Sequence, residues 1–472
     1  MIFCVMTLGC KANQYDAQAI EGILAGRGHT PAQAGQGCDV CIVNTCAVTA
    51  ESARKSRQAV RRAKKLEPGA LVAVCGCLSQ LDPSAARELG ADLVGGSGDR
   101  RGFALEIERL SANAECRMQN AELRDETQGS GDRAQGSGDG GCENNSQLSS
   151  LHTPNSTLQT PNSTLDFEDL PPGGVAGRTR ALLKIQDGCD NCCAYCVIPR
   201  ARGRARSLPP DRAAELAAQL DARGFREIVV TGIEISSYGK DLMAVAQPEP
   251  KLIDVLKRIS AAAPNARLRL GSLDPGTLTE PFCGGLLEIP NLCPHFHISL
   301  QSGCDGTLRR MGRRYGAAEA LEAIRRLRRL FPDCGITADL IAGFPGETGA
   351  EFAQTLDFIK SAAFSDMHVF PFSPRPGTRA ADMPGQIKKS ARAERARAAA
   401  EAAAETARAF KAGQVGKTVE VLFERESGGC WYGHSGNYLE IAVKSGGAKN
   451  ELRPVRIAEV RQDGTIIGEI VN

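Results

Sequence analysis

The stretch Ala181-Leu-Leu-Lys184-Ile-Gln186-Asp-Gly-Cys189-Asp-Asn-Cys192-Cys193-Ala-Tyr195-Cys196 joins an apolar, strand-like run to a crowd of four thiols. Cys189, Cys193 and Cys196 follow a Cys-x3-Cys-x2-Cys spacing, and Cys192 leaves 189/192/196 open as a second register. Thiolates are soft ligands suited to iron–sulfur clusters or zinc. Structural zinc sites are usually closed by four protein ligands. Three ligands close together leave one metal corner open, and an open iron can bind a substrate or cofactor directly. The trio follows the predicted strand 181–186, and sites in parallel α/β folds lie at the carboxyl ends of strands. The plainer alternatives are a zinc knuckle or buried thiols.

The rest of the chain narrows the class. It has 472 residues, 42% hydrophobic and 24% charged, with a formal net charge of +2. That length suits about three domains, and the apolar fraction excludes general disorder. No apolar run approaches the ~18 residues a membrane span needs. The start, Met1 to Cys10, lacks the basic lead of a secretory signal. A cytoplasmic protein with no membrane partner is expected. The near-neutral balance does not announce a nucleic-acid binder, but it can hide a basic face on one domain. The 18 cysteines, in a long chain without an export signal, favour metal or redox chemistry over disulfides.

Working outward, the expected fold class is α/β. Residues 1–111 alternate strands at 2–7, 40–45 and 71–74 with helices at 13–26, 50–65 and 83–89, which implies a parallel sheet. Residues 112–176 carry Gly/Ser repeats and a doubled Thr-Pro-Asn-Ser-Thr-Leu, at 153–158 and 160–165. They read as a disordered insert or linker, with Cys142 a free thiol. Residues 177–386 return to alternation, with strands at 181–186, 227–231, 267–272, 295–301, 335–343 and 366–372. Six β/α units are too few for the eight-fold closed barrel, so a partial (β/α)6 barrel is expected. Residues 387–412 favour a linker helix. Residues 413–472 suit a small β-barrel of the kind that often holds RNA.

The N-terminal domain holds a second set of thiols. Cys10, Cys46 and Cys77 each follow one of three successive strands and begin a turn into a helix. Parallel strands would bring their carboxyl ends to one spot. Cys4, Cys41 and Cys75 fall within or at the ends of the strands and read as small core residues. A zinc site on Cys38, Cys41, Cys75 and Cys77 is the minor alternative.

Cys-x3-Cys-x-aromatic-Cys, with Tyr195 as the aromatic, resembles the radical S-adenosylmethionine superfamily, and that aromatic favours the 189/193/196 register. The resemblance implies a [4Fe–4S] cluster on Cys189, Cys193 and Cys196, with S-adenosylmethionine on its fourth iron. The cofactor then carries the hard chemistry. Outside the insert, the chain is similar to the methylthiotransferase family. The matching motifs are Leu8-Gly-Cys10-Lys-Ala-Asn-Gln-Tyr15, Asn44-Thr-Cys46-Ala-Val-Thr49, Gly76-Cys77, Lys184-Ile-Gln-Asp-Gly-Cys189, Ile198-Pro-Arg-Ala-Arg-Gly-Arg204, Ser299-Leu-Gln301-Ser-Gly303 and Gly343-Phe-Pro-Gly-Glu-Thr348. That family implies a second [4Fe–4S] cluster, on Cys10, Cys46 and Cys77, and insertion of a methylthio group at an unactivated C–H bond.

The tail resembles the TRAM RNA-binding domain. Gly9-Cys-Lys-x-Asn-Gln-Tyr15 and Lys55-Ser-Arg-Gln58 look like the branch acting on C2 of N6-threonylcarbamoyladenosine, adenosine 37 of tRNA. The implied partners are a tRNA anticodon loop and an electron donor such as flavodoxin or ferredoxin, and the implied state is a monomer. Across the superfamily a Gly-Gly-Glu stretch after the second barrel strand meets the methionine amino group. Gly232-Ile-Glu234 keeps its first and last residues, and Ser299 and Gln301 are the other expected cofactor contacts. Glu234, Cys192 and the long insert depart from the branch.

Other features have competing readings. Arginines at 200–206, 309–314 and 325–329 are surface charges or contacts for phosphate, cofactor carboxylate or RNA. His295 and His297 share a strand face and read as core or cofactor-lining residues rather than a metal pair. Trp431, Tyr432 and His434 offer faces for unpaired bases. Rival functions are methylthiolation of another tRNA adenosine or of a ribosomal protein, and a non-catalytic iron–sulfur RNA sensor.

Overall fold

The structure, a computed structural model, describes residues 1–113, 156–158, 166–172, 179–242 and 251–471. It forms two compact units, Met1–Ala47 with Glu51–Pro161, and Val48–Ala50 with Asn162–Asn472. Among the described residues, no helix is long and apolar enough to cross a membrane.

The first unit is a parallel sheet in the order Thr30–Pro31, Ile2–Thr7, Val40–Thr45, Leu71–Gly76, Leu93–Gly95, Ser156–Leu158. Val40–Thr45 is buried at every position, as a central parallel strand covered on both faces must be. One face packs Cys4, Cys41, Val43 and Val74 under Ala59, Val60 and Ala63 of helix Ala50–Leu66. The other packs Phe3, Ile42, Ala73 and Cys75 under Ile20 and Leu24 of helix Lys11–Gly26 and Phe103 of helix 100–113.

Within the stretch 112–176, expected to be a disordered insert or linker, Ser156–Leu158 is a strand. These residues, the end of the first Thr-Pro-Asn-Ser-Thr-Leu copy, pair with the open edge of Leu93–Gly95. Further on, Leu170 is buried and Asp169 pairs with Arg212 at 2.7 Å. A three-residue strand is too short to leave a periodic signal among Gly/Ser repeats. The repeats at 128–140 and Cys142 lie outside the described residues.

In the second unit, six parallel β/α steps follow one another in sequence order. The strands are Arg180–Lys184, Glu227–Thr231, Arg267–Leu270 continued by Ser272–Leu273, His295–Gln301, Gly335–Ala342 and Asp366–Pro371. The last strand pairs on one side only, so the barrel is partial. Helix Lys389–Ala412 packs beside it, with Ala399, Ala402 and Ala403 in the core.

A closed five-stranded barrel follows, in the order Thr418–Ser427, Cys430–Ser435, Glu440–Val443, Ile466–Ile470, Leu452–Val460. Its strand Cys430–Ser435 escapes pattern reading, because Cys-Trp-Tyr-Gly-His-Ser shows no clean apolar alternation. A buried ion cluster fastens this barrel to the amino ends of the larger one's strands. Arg267 and Arg269 each meet the fully buried Glu227 at 2.7 Å. The same arginines donate to His434 O at 2.7 Å and Gly436 O at 2.9 Å. Burying such charges is costly unless every donor is satisfied, and these carbonyls supply the remaining acceptors.

Candidate active site

The thiol-bearing loop opens at the carboxyl end of strand Arg180–Lys184, opposite the seam with the small barrel. Asp187 organises it. Its buried carboxylate accepts from Lys184 Nζ at 3.0 Å, Arg202 Nη1 at 2.8 Å and the Gly188 N–H at 2.8 Å. Gln186 ties the loop to the next strand end, since its Oε1 accepts the N–H groups of Ile233 and Glu234 at 3.1 and 2.8 Å. Arg202 is therefore a buried structural cation, not a free surface charge. Arg200 instead donates to Pro376 O at 3.3 Å.

Each sulfur of the expected trio accepts one N–H. Asn191 N donates to Cys189 Sγ, Ile198 N to Cys196 Sγ and Arg313 Nη1 to Cys193 Sγ, all at 3.4 Å. Cys192 is exposed, and its carbonyl is held by Arg379 Nη2 at 2.8 Å. Burial pushes the Cys189 thiol up to about 11 and the Cys196 thiol up to about 12, and the nearby Cys193 adds to both. Metal binding deprotonates such thiols. Among the described residues, no three His, Cys, Asp or Glu side chains stand together at metal-binding distance. The donor set itself fits an iron–sulfur cluster: three soft ligands on one loop, each sulfur with a hydrogen bond of the kind that tunes cluster potential.

Beside this loop is a cavity of about 240 Å³, lined by Cys193, Glu234, Ser236, Asp274 and Arg313 among others. Glu234 is 9% exposed, and its Oε1 has no hydrogen-bond partner. Burial, reinforced by the charge of Asp274, pushes its carboxyl up to about 6. A buried, unpartnered carboxylate oxygen in a polar cavity suits an ammonium group. That is the fit expected for the methionine end of S-adenosylmethionine.

Gly232 has a different place. A Cβ there would stand 2.8 Å from Gln186 O, so Gly232 permits close packing of two loops. The residues lining the cavity do not include Gly232, Ser299 or Gln301. Ser299 enters through its carbonyl, which accepts from Arg313 Nη2 at 3.1 Å and Tyr315 OH at 2.7 Å. Gln301 sits at a bulge in its strand with φ +68°.

Arg313 and Asp274 are the residues that sequence reasoning missed. Arg313 reads in the sequence as one cation of a basic surface cluster. In the fold its side chain is 6% exposed and binds Asp274 at 2.8 Å while reaching Cys193. Asp274 lies just past strand Ser272–Leu273, a position that could have marked it. The other basic clusters are also largely consumed internally. Arg310 pairs with Glu351 at 2.8 Å, and Arg326 with Glu280 at 2.5 Å. His295 and His297 both turn to the Thr337 hydroxyl, at 3.1 and 2.8 Å, rather than to a shared metal position.

In the first unit, Cys10 caps helix Lys11–Gly26, Cys46 follows Val40–Thr45, and Cys77 opens helix Cys77–Leu81. Asn13 gathers the three loops. Its Nδ2 donates to Leu8 O at 2.9 Å and Thr45 O at 2.8 Å, and the Cys77 thiol points at its Oδ1 at 3.8 Å. A Cβ on Gly9, at φ +100°, would stand 2.8 Å from Cys46 Sγ, so the loop before Cys10 presses on Cys46. Cys46 and Cys77 are buried and Cys10 is exposed. The zinc alternative does not assemble. Cys41 contacts Cys4, sulfur to sulfur, at 3.2 Å on one face of the sheet, while Cys75 packs on the other.

With this geometry in place, comparison with known proteins is decisive. The radical SAM superfamily model matches residues 183–359. The model described as uncharacterized protein family UPF0004 matches residues 2–96. The chain is 32% identical to threonylcarbamoyladenosine tRNA methylthiotransferase MtaB of Thermotoga maritima, over 98% of this chain and 95% of that relative. The chain belongs to the radical SAM methylthiotransferase family. The MtaB of Bacillus subtilis is 31% identical, over 93% of this chain and 89% of its own. A tRNA-2-methylthio-N(6)-dimethylallyladenosine synthase of Parafrankia is 33% identical, over 90% of this chain and 78% of its own. Family membership brings with it a [4Fe–4S] cluster and S-adenosylmethionine.

Proposed function

We propose that this methylthiotransferase acts on tRNA, at C2 of N6-threonylcarbamoyladenosine 37, next to the anticodon. The observation that carries the reading is the near full-length match to enzymes named for that nucleoside. The dimethylallyladenosine synthase of Parafrankia is as similar in identity but shares 78% of its length, and that of Symbiobacterium thermophilum shares 94% of its length at 29% identity. In this reading Cys189, Cys193 and Cys196 hold one [4Fe–4S] cluster, and Cys10, Cys46 and Cys77 hold a second. Bound there, the clusters and S-adenosylmethionine supply a carbon radical and a methylated sulfur.

The chain's own residues do the rest. Asp187 and Gln186 set the shape of the first thiol loop, and the N–H groups of Asn191 and Ile198 and the Arg313 guanidinium steady its three thiolates. Glu234 offers its free oxygen to the methionine ammonium. Asn13 holds the three loops of the second site in one place. A base stacked in an anticodon loop must be splayed out to reach a buried centre, and the small barrel, read here as a TRAM domain, is the element suited to gripping the RNA.

Mass spectrometry of tRNA nucleosides from cells with and without the gene tests the reading. The 2-methylthio form of N6-threonylcarbamoyladenosine should vanish without it. Loss of the dimethylallyl derivative alone, or no change in tRNA, would overturn the assignment.

A further inference from the structure

Helix Ala50–Leu66 carries seven lysines and arginines between Arg54 and Lys65 against one carboxylate, Glu51, in a chain whose net charge is only +2. Its other face, Ala53, Ser56, Ala59, Val60 and Ala63, is buried, so the cations stand outside. Glu51 is taken by Arg54 at 2.5 Å and Lys55 at 3.8 Å, and Lys64 reaches Asp92 at 4.0 Å. Among the described residues no ion pair holds Arg57, Arg61, Arg62 or Lys65. This separates the helix from the arginines near Glu280, Glu351 and Asp187, which are spent on partners within the protein.

Arg57, Arg61 and Lys65 recur every fourth residue, so they lie along one stripe about 12 Å long. Like charges at that spacing destabilise a helix. A merely solvated face would intersperse carboxylates, and such local violations concentrate at functional surfaces. A second observation fixes the stripe in register with the site. The Ser56 hydroxyl accepts from the Cys46 N–H at 2.9 Å, and its single hydrogen is within reach of both Ser52 O at 2.9 Å and Cys46 O at 3.1 Å. The helix is thereby tied to the backbone of Cys46.

We propose that this helix is a phosphate-binding track. Arg57, Arg61, Arg62 and Lys65 grip the sugar–phosphate backbone of the RNA substrate, and Ser56 sets that grip at a constant distance from Cys46. The inference rests on the tRNA reading above. Phosphate contacts position a nucleic acid without reading its sequence, so the track serves placement of the target base rather than choice of base.

The test uses the full-length holoenzyme and a tRNA that carries N6-threonylcarbamoyladenosine but not the methylthio group, with affinity measured by fluorescence anisotropy across a salt series. The variant replaces Arg57, Arg61, Arg62 and Lys65 together by Gln, which relieves repulsion and leaves the buried face intact. Its affinity should fall at least about tenfold. The slope of log affinity against log salt should shrink by about one for each phosphate that the variant no longer neutralises. A control carrying Arg397→Gln and Arg408→Gln, on the exposed side of helix Lys389–Ala412, should bind as the parent does. Unchanged affinity and slope in the four-residue variant, with iron content and helicity preserved, would overturn the track while leaving the tRNA reading standing. Failure of the parent enzyme to bind this threonylcarbamoylated tRNA would overturn the tRNA reading itself.

Discussion

The two thiol trios are built in opposite ways. Cys189, Cys193 and Cys196 come from one short loop, shaped by a single buried carboxylate, Asp187. Cys10, Cys46 and Cys77 come from three strand ends spread over the first unit, where Asn13 bonds to Leu8 O, Thr45 O and the Cys77 thiol. A contiguous loop announces its ligands by spacing. A dispersed site exists only once a parallel sheet has aligned the strands. The first should tolerate distant damage and fail through its own loop. The second should fail whenever the sheet or the Asn13 bonds are disturbed.

The largest effects should come from the thiols themselves, and they should separate the two sites. Cys189→Ala, Cys193→Ala or Cys196→Ala should abolish both reductive cleavage of S-adenosylmethionine, read as 5′-deoxyadenosine, and methylthio product. Cys10→Ala, Cys46→Ala or Cys77→Ala should remove the product while leaving cleavage measurable. Cys192→Ala should retain both activities. Product surviving in Cys46→Ala would collapse the two-site comparison, and a dead Cys192→Ala beside a live Cys193→Ala would reassign the register.

Next in size is Glu227→Gln, which strands Arg267 and Arg269 in the seam beneath the radical barrel. Removing one partner of a buried ion cluster costs roughly 3–5 kcal/mol. Burial alone would raise this carboxyl, but Arg269 and Arg267 outweigh it and hold it below the usual glutamate range. Its stabilising contribution is therefore complete above that range and is lost as the pH falls toward the lower folded value. Thermal unfolding followed on the acid side should show the second unit losing stability in the parent, and Glu227→Gln should flatten that dependence. An equal pH slope in parent and variant would count against it.

A smaller effect is expected at the Asn13 clasp. Asn13→Ala leaves Leu8 O and Thr45 O without their side-chain donor, at a cost of about 1–3 kcal/mol. Iron should fall at the first-unit site with the second-unit site unchanged, a split that quantitative EPR can read. If both sites load fully, Asn13 is not the clasp.

The smallest effect belongs to Glu234→Gln. Losing one charge-assisted hydrogen bond should weaken S-adenosylmethionine binding about tenfold, as measured by equilibrium dialysis on cluster-replete protein. Unchanged affinity would leave the orphaned Oε1 without a ligand.

The alternating strands, the six β/α steps and the run from Cys189 to Cys196 were legible in the residues, because apolar periodicity and ligand spacing are local properties. Strands such as 2–7, 40–45, 227–231 and 295–301 stand where their pattern put them. What the chain did not announce was set by partners far away in sequence. Ser156–Leu158 is a strand only because Leu93–Gly95 offers an open edge. Cys430–Ser435 is a strand only because a barrel must close. Arg313 reads as one more cation in a basic run until the fold buries it between Cys193 and Asp274, where low dielectric makes each contact count. Asn13, an ordinary amide in a helix, becomes the clasp of three loops because parallel strands end side by side and leave carbonyls that a buried donor has to satisfy. Sequence alone thus determined which residues could do chemistry, through their type and local spacing. The tertiary structure decided which side chains hold them in place, because hydrogen bonds and burial are properties of neighbours that only folding creates.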